Sequence, residues 1–335
     1  MKLYVIADDL TGANATSVLL AKEGFKCSTF IDSALLNDEN MSRCDVVAIS
    51  TDSRGITKEE AYARVSEEVQ RVKHLQPVYT KRIDSTLRGN IGAEIDAILD
   101  QDKNSIAVVV ASYPDSGRIS IGGFLLVDSV PLQNTLVAKD PKCPVTNSSV
   151  KEIIQSQTKF KVSDIQISDV LRGEEFLSRK INLLVDEGNR IIVIDAVTND
   201  EIETIAKASA LTKLNVIPVD PGPFTKCLMN TKYGSSHVGQ GKKVFFAIGS
   251  VSKTTIGQIE NLVATKSPAL VKVNPLKLID DEQIDQEVER VLHIIEGKLK
   301  LNQSNIVGIT TTTREDEVLN LSELSEKLGM DEEAI

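Results

Sequence analysis

The chain has 335 residues, of which 41% are hydrophobic and 26% charged, and it carries a formal net charge of −10. This is the balance of a soluble globular protein, long enough for two domains that each bury a core. The acidic surplus argues against nucleic acid and anionic membranes as partners, and no apolar run approaches the ~20 residues needed to cross a bilayer.

The first ten residues read as a strand that reaches two aspartates by position 9. They lack the apolar stretch and cleavage site of a signal peptide, which places the protein in the cytoplasm. Strand 2–7 is followed by a helix over 12–22, and residues 45–50 form a second apolar run. Thr57 with Glu60 makes a capping box for a helix whose Ala61, Val65, Val69 and Val72 share one face. A short strand at 77–80 leads to a helix bearing Ile91, Ile95, Ile98 and Leu99, and 106–111 is a β-branched strand. Residues 112–150 are proline-bearing and lack periodicity, so they read as a long excursion. Alternation resumes with strand 190–196, a helix capped by Thr198 and Glu201, strand 216–219 and the turn Asp220-Pro221-Gly222-Pro223.

Segment 231–243 is rich in Gly, Ser and Lys and reads as a linker between a domain over 1–230 and a second over 244–335. The second opens with strand 243–249 and a helix over 252–266. The whole predicts an α/β protein of two domains, each a largely parallel sheet flanked by helices. Cys27, Cys44, Cys143 and Cys227 form no C-x-x-C pair, and His74, His237 and His293 are scattered. Neither a metal site nor a histidine-dependent nucleophile is expected.

The polar clusters fall after predicted strands, where open parallel sheets bind ligands. They are Asp8-Asp9, then Thr51-Asp52-Ser53-Arg54, then the run from Lys81 and Arg82 through Asp84, Ser85, Thr86, Leu87 and Arg88, then Ser112 to Arg118. In a parallel sheet all four lie on one edge. Guanidinium groups grip carboxylates through paired, charge-assisted hydrogen bonds. Asp and Ser bind hydroxyls, and an Asp beside an acceptor hydroxyl can take its proton. Together they suit a polyhydroxy acid. Singly, each has a plainer reading. Asp8-Asp9 can be a turn or helix cap, Arg54 a surface ion pair and Arg118 a solvated side chain. Asp84-Ser85 can cap the next helix, although Asn90 stands closer to it. The small-residue turn at 249–252 offers backbone donors at a helix N-terminus, which suits phosphate, but Ser252 as a plain N-cap explains it equally well. The Walker A spacing is absent.

These segments resemble the four-carbon acid sugar kinase family. The matching stretches are ADDLTGA at 7–13, TDSR at 51–54, KRIDSTLRGN at 81–90, YPDSGR at 113–118, LLVDSVPL at 125–132, KDPKCPV at 139–145, DAVTNDE at 195–201, DPGPFT at 220–225 and GSVSKTT at 249–255. The resemblance implies an ATP- and Mg2+-dependent kinase of threonate, erythronate or a 3-oxo acid, with an N-terminal acid-sugar domain and a C-terminal nucleotide domain. It implies that Asp9, Arg54 and residues 84–88 contact the acid sugar; Lys81 and Arg118, as cations in the polar clusters, are expected to bind substrate too. Asp9 is the expected base, with Asp84 as the next choice. It implies that Ser250 and Ser252 lie at the ATP phosphates; the oligomeric state is not readable from the sequence, with a homodimer one option. The family continues into a Gly-Gly-Asp/Glu-Thr-like turn and a glycine-rich segment that this sequence lacks. A truncated chain with weak ATP binding is therefore expected. An acid-sugar binding module without turnover is the alternative, and a sugar-phosphate aldolase built on Lys81 is a weaker one.

Overall fold

The computed structural model describes residues 1–31, 33–234, 244–280, 282–300 and 306–329, arranged in two compact units over 1–238 and 239–335. The first unit is built on eight strands: β1 (Leu3–Ala7), β2 (Cys27–Phe30), β3 (Val46–Ser50), β4 (Val78–Arg82), β5 (Ser105–Val109), then, after a separate small sheet, β9 (Val162–Ile165), β10 (Ile191–Ile194) and β11 (Asn215–Asp220). All pair in parallel, in the order β2-β3-β1-β4-β11-β5-β10-β9. Residues 112–150, expected as an irregular excursion, hold an antiparallel sheet of β6 (Arg118–Ile121), β7 (Phe124–Val127) and β8 (Val130–Pro131).

Strand alternation divides the core. Leu3, Val5 and Ala7 pack with Ala13 and Leu20 of the helix Leu10–Lys22. Tyr4 and Ile6 face the other way, toward Val65 and Val69 of Lys58–Val72 and Ile95 and Ile98 of Ile91–Gln101. Burial on both faces is why these strands read as continuous apolar runs. Both predicted capping boxes are formed, Thr57 with Glu60 and Thr198 with Glu201.

The strand order places the site. From β1 the chain runs outward to β2 and returns through β3, while β4 joins β1 on its opposite side. The carboxyl ends of β1 and β4 therefore flank a reversal of strand order, the place where open α/β sheets leave a crevice for ligands.

Some boundaries differ from the sequence expectation. β4 continues through Lys81 and Arg82, which were expected in the following loop. β2 and β9 were not expected; they are edge strands whose Ser, Thr and Asp interrupt the apolar signal. The helix Pro223–Tyr233 runs into the expected linker, and residues 235–243 of that linker lie outside the described residues.

In the second unit, β12 (Val244–Ile248), β13 (Ala269–Lys272) and β14 (Ile306–Thr310) form a parallel sheet in the order β12-β14-β13. Its core joins Ala269, Val271 and Val307 to Val291 and Ile295 of the helix Ile284–Lys300. Ser252 caps the helix Lys253–Lys266, accepting from the Thr255 N–H. No described helix is long and apolar enough to cross a membrane.

Gly92 marks a close approach. A Cβ there would stand 2.5 Å from the Cβ of Gln157 and 2.8 Å from the Ile154 carbonyl oxygen, and backbone cannot swing aside. Gly92→Ala should therefore destabilise the first unit by about 1–3 kcal/mol, the usual cost of overpacking, although alanine is the better helix former by ~1 kcal/mol. Urea unfolding reads the difference; an unchanged or raised midpoint would show that segment 154–157 yields.

Candidate active site

Beyond β1 the chain enters Asp8 and Asp9. Asp9 is extended (φ −145°, ψ 161°), and its Oδ1 accepts the Gly12 N–H at 2.7 Å, capping the helix Leu10–Lys22. Asp8 is buried. From the loop after β3, Arg54 reaches both aspartates. Its Nε and Nη2 donate to the two oxygens of Asp8 at 2.6 and 3.1 Å, and its Nη1 stands 2.8 Å from Asp9 Oδ2. Its Nη2 also lies 3.7 Å from Asp84 Oδ1, beyond β4. One guanidinium thus gathers three carboxylates from two strand ends. Burial acts against its charge, but the Asp8 hydrogen bonds and the charges of Asp8, Asp84 and Asp9 hold its pKa above the ordinary value.

The loop after β4 is fixed by Asp84. Its carboxylate accepts from the Thr86 backbone and hydroxyl and from both arms of Arg88, at 2.9 and 3.1 Å. Arg88 Nη1 donates to Asp140 at 3.0 Å. Asn90 occupies the N-cap position of its helix without capping it. Its side chain instead donates to the carbonyls of Ser53 and Ile56 at 3.0 and 2.9 Å, tying this loop to the one that carries Arg54. Cys143 Sγ donates to the Arg54 carbonyl at 3.0 Å. Leu87 is left-handed (φ 58°) with its side chain in the core, so only its backbone faces the loop.

Burial would raise the pKa of Asp84, yet the hydrogen bonds of Arg88 and Thr86 and the charges of Arg54 and Arg88 hold it well below the usual carboxylate range. A carboxylate so stabilised is a weak proton acceptor near neutrality. In this setting it also holds Arg54 and Arg88 in place. Asp9 differs. One oxygen caps a helix and the other meets Arg54, while more than a quarter of its side chain stays open to solvent.

Two predicted residues stand apart. Lys81 is fully buried, with Nζ 3.0 Å from Glu94 and within hydrogen-bond reach of the carbonyls of Ile6 and Arg82. As the penultimate residue of β4 it points into the helix layer, so it braces the floor; neither a substrate contact nor a Schiff-base role fits it. Arg118 begins β6, and its guanidinium donates to the Ser116 carbonyl. Its segment follows β5, which β11 separates from β4. Ser85 and Thr86 stand half-buried in the Asp84 loop. Ser250 and Ser252 belong to the second unit, where their hydroxyls and that of Thr255 form an exposed cluster at the start of Lys253–Lys266.

The sequence reading left Asp140 without a role, gave Asp8 only a share in a turn or cap, and took Asn90 as a helix cap, which its side chain does not provide. Asp8 sat inside a highlighted pair, and strand parity was the available signal for its burial. Asp140 lies within KDPKCPV, but nothing local ties it to Arg88, 52 residues away. A cavity of about 590 Å³ opens beside Arg54, Asn90, Lys142 and Cys143.

With this geometry in hand, the comparisons are direct. A model of a sugar-binding N-terminal domain matches residues 3–228, and one of a nucleotide-binding C-terminal domain matches residues 245–335. A D-erythronate kinase of Heliobacterium modesticaldum is 42% identical over 335 residues, 99% of this chain and 76% of that protein. The chain belongs to the four-carbon acid sugar kinase family. Another relative, a D-threonate kinase of Salmonella typhimurium, is 31% identical over 98% of this chain and 76% of its own length. A crystal structure of a Haemophilus influenzae protein shares the fold at a TM-score of 0.70 and 23% identity, covering 98% of this chain and 79% of its own. The nucleotide-domain match gives no support to the expected truncation.

Asp84 supplies a test of the ion-pair cluster. Removing one partner of a buried ion pair costs about 3–5 kcal/mol, so Asp84→Asn should lower stability by that amount at pH 7. Because the folded pKa is depressed, the contribution is complete above the unfolded value of about 3.9 and disappears as pH falls through the folded one. The gap between wild type and variant in urea unfolding should stay constant from pH 8 to 5 and narrow at pH 3. A gap independent of pH would show that the charge of Asp84 is not what matters.

Proposed function

We propose that this chain transfers the terminal phosphoryl group of ATP to a hydroxyl of a four-carbon sugar acid, with D-erythronate as the first candidate substrate. The observation that carries the reading is the Arg54 cluster at the reversal of strand order, which fixes Asp9 with part of its carboxylate open. Its support from relatives is the 42% identity to a D-erythronate kinase, against 31% for the D-threonate kinase.

The geometry supports the following roles. Asp9 accepts a hydrogen bond from the acceptor hydroxyl and takes its proton as the hydroxyl attacks. Arg54 holds Asp9 in place, and the Gly12 N–H fixes its other oxygen. Asp84, Arg88 and Asp140 hold the facing loop against the substrate. Phosphoryl transfer depends mostly on positioning and on neutralising charge. ATP with Mg2+ supplies the transferred group and its charge compensation when bound. The residues of the second unit suit phosphates. Ser250, Ser252 and Thr255 are small hydroxyl donors at the positive end of a 14-residue helix, and Gly249 leaves open space beside them.

Calorimetry with sodium D-erythronate and a coupled ADP-release assay test this reading. D-erythronate should bind and drive ADP release in preference to D-threonate. Arg54→Ala should weaken acid binding by about 2–5 kcal/mol, since it leaves Asp8, Asp9 and Asp84 to repel an anion. Asp9→Asn should preserve the fold and lower kcat by ~10²–10⁴. A wild-type chain that binds no four-carbon acid and releases no ADP would overturn the function, and normal turnover in Asp9→Asn would move the base elsewhere.

A further inference from the structure

The carboxylate of the substrate needs a cation, and three of those nearest the ends of β1 and β4 are already committed to carboxylates. Arg54 serves Asp8, Asp9 and Asp84; Arg88 serves Asp84 and Asp140; Lys81 serves Glu94. Around the first two, four carboxylates face two guanidiniums, which by itself repels an anion.

Arg82 is different. It is the last residue of β4, in register with Ala7 of β1 and Asp220 of β11, so it stands at the reversal of strand order. It is 9% exposed, and its Nε is buried without a hydrogen-bond partner. Asp220, its neighbour in register, spends its carboxylate on the N–H groups of Gly222, Phe224 and Thr225 and on the Thr225 hydroxyl. No carboxylate of the described residues forms an ion pair with Arg82. Strand parity sends it to the face opposite Lys81, against the first turn of the helix Leu10–Lys22. There a Cβ on Gly12 would lie 2.7 Å from Arg82 Nη1 and 2.7 Å from Asp9 Oδ1. The guanidinium and the reactive carboxylate thus lean on the same glycine.

A nearly buried guanidinium without a counter-ion is costly in the ligand-free protein, and such a cost persists where a ligand relieves it. Resting on the acid-sugar reading above, we propose that Arg82 is the residue that binds the substrate carboxylate, beside the positive end of the helix Leu10–Lys22, while Arg54 acts on the substrate through Asp9. Its guanidinium pairs with the two carboxylate oxygens, and the short four-carbon chain then carries its hydroxyls toward Asp9.

The test combines stability and binding, measured without nucleotide so that the carboxylate is the only organic anion present. In Arg82→Met the ligand-free melting temperature should rise, because an unpaired buried charge is replaced by an apolar side chain of similar length. The Kd for sodium D-erythronate should weaken at least ~100-fold, the size of a lost hydrogen-bonded charge pair. Arg82→Lys, which keeps the charge but loses the planar fork, should weaken it at least ~10-fold. A lowered melting temperature in Arg82→Met would make Arg82 a structural strut and overturn the proposal. So would an unchanged Kd in a folded Arg82→Met, which leaves the kinase reading intact. A wild-type protein that binds no four-carbon acid removes both.

Discussion

Arg54 is the interaction on which the site depends. Two of its nitrogens fork onto Asp8, a third meets Asp9, and Asp84 lies just beyond hydrogen-bond distance. Those carboxylates arrive on the ends of β1 and β4, which the strand order leaves on either side of the crevice. Without the guanidinium, three negative charges would face one another in partly buried space, and the loops would have to separate to hydrate them. With it, the loops are drawn together, and Asn90 and the Cys143 thiol fasten the segment that delivers it.

That arrangement separates chemistry from support. Asp84 and Arg88 are paired with each other, whereas Asp9 is held at both oxygens yet remains partly open. The buried Lys81–Glu94 pair lies beneath, with Ser53 also donating to Glu94, so the loop that bears Arg54 is anchored to the helix layer below it. Burial pushes the Glu94 carboxyl up, opposed by Lys81 and Ser53. A pocket built this way has few free charges, and Arg82 is conspicuous for being one of them.

Much of this was legible in the sequence because parallel strands bury both faces and so advertise themselves as apolar runs. The four polar clusters were placed on one sheet edge from that pattern alone, and Asp9, Arg54, Asp84 and Arg88 do meet there. What was lost came from local ambiguity. Ending β4 at residue 80 turned Lys81 and Arg82 into interchangeable loop cations. Two more residues of strand send one into the helix layer and the other toward Gly12, and a one-residue change in parity decides which is which. Arg118 was grouped with the site because its segment follows β5; that β11 lies between β4 and β5 is a matter of strand order, which periodicity does not encode. Asp140 was hidden by sequence distance, and the edge strands β2 and β9 by their polar residues.

The most direct measurement is a crystal structure of the protein with sodium D-erythronate. The expected result is the carboxylate within hydrogen-bond distance of the Arg82 guanidinium and a hydroxyl on Asp9, with Arg54 still forked onto Asp8. Erythronate seated instead in the cavity lined by Arg54, Lys142 and Cys143, with Arg82 and Asp9 untouched, would contradict the site.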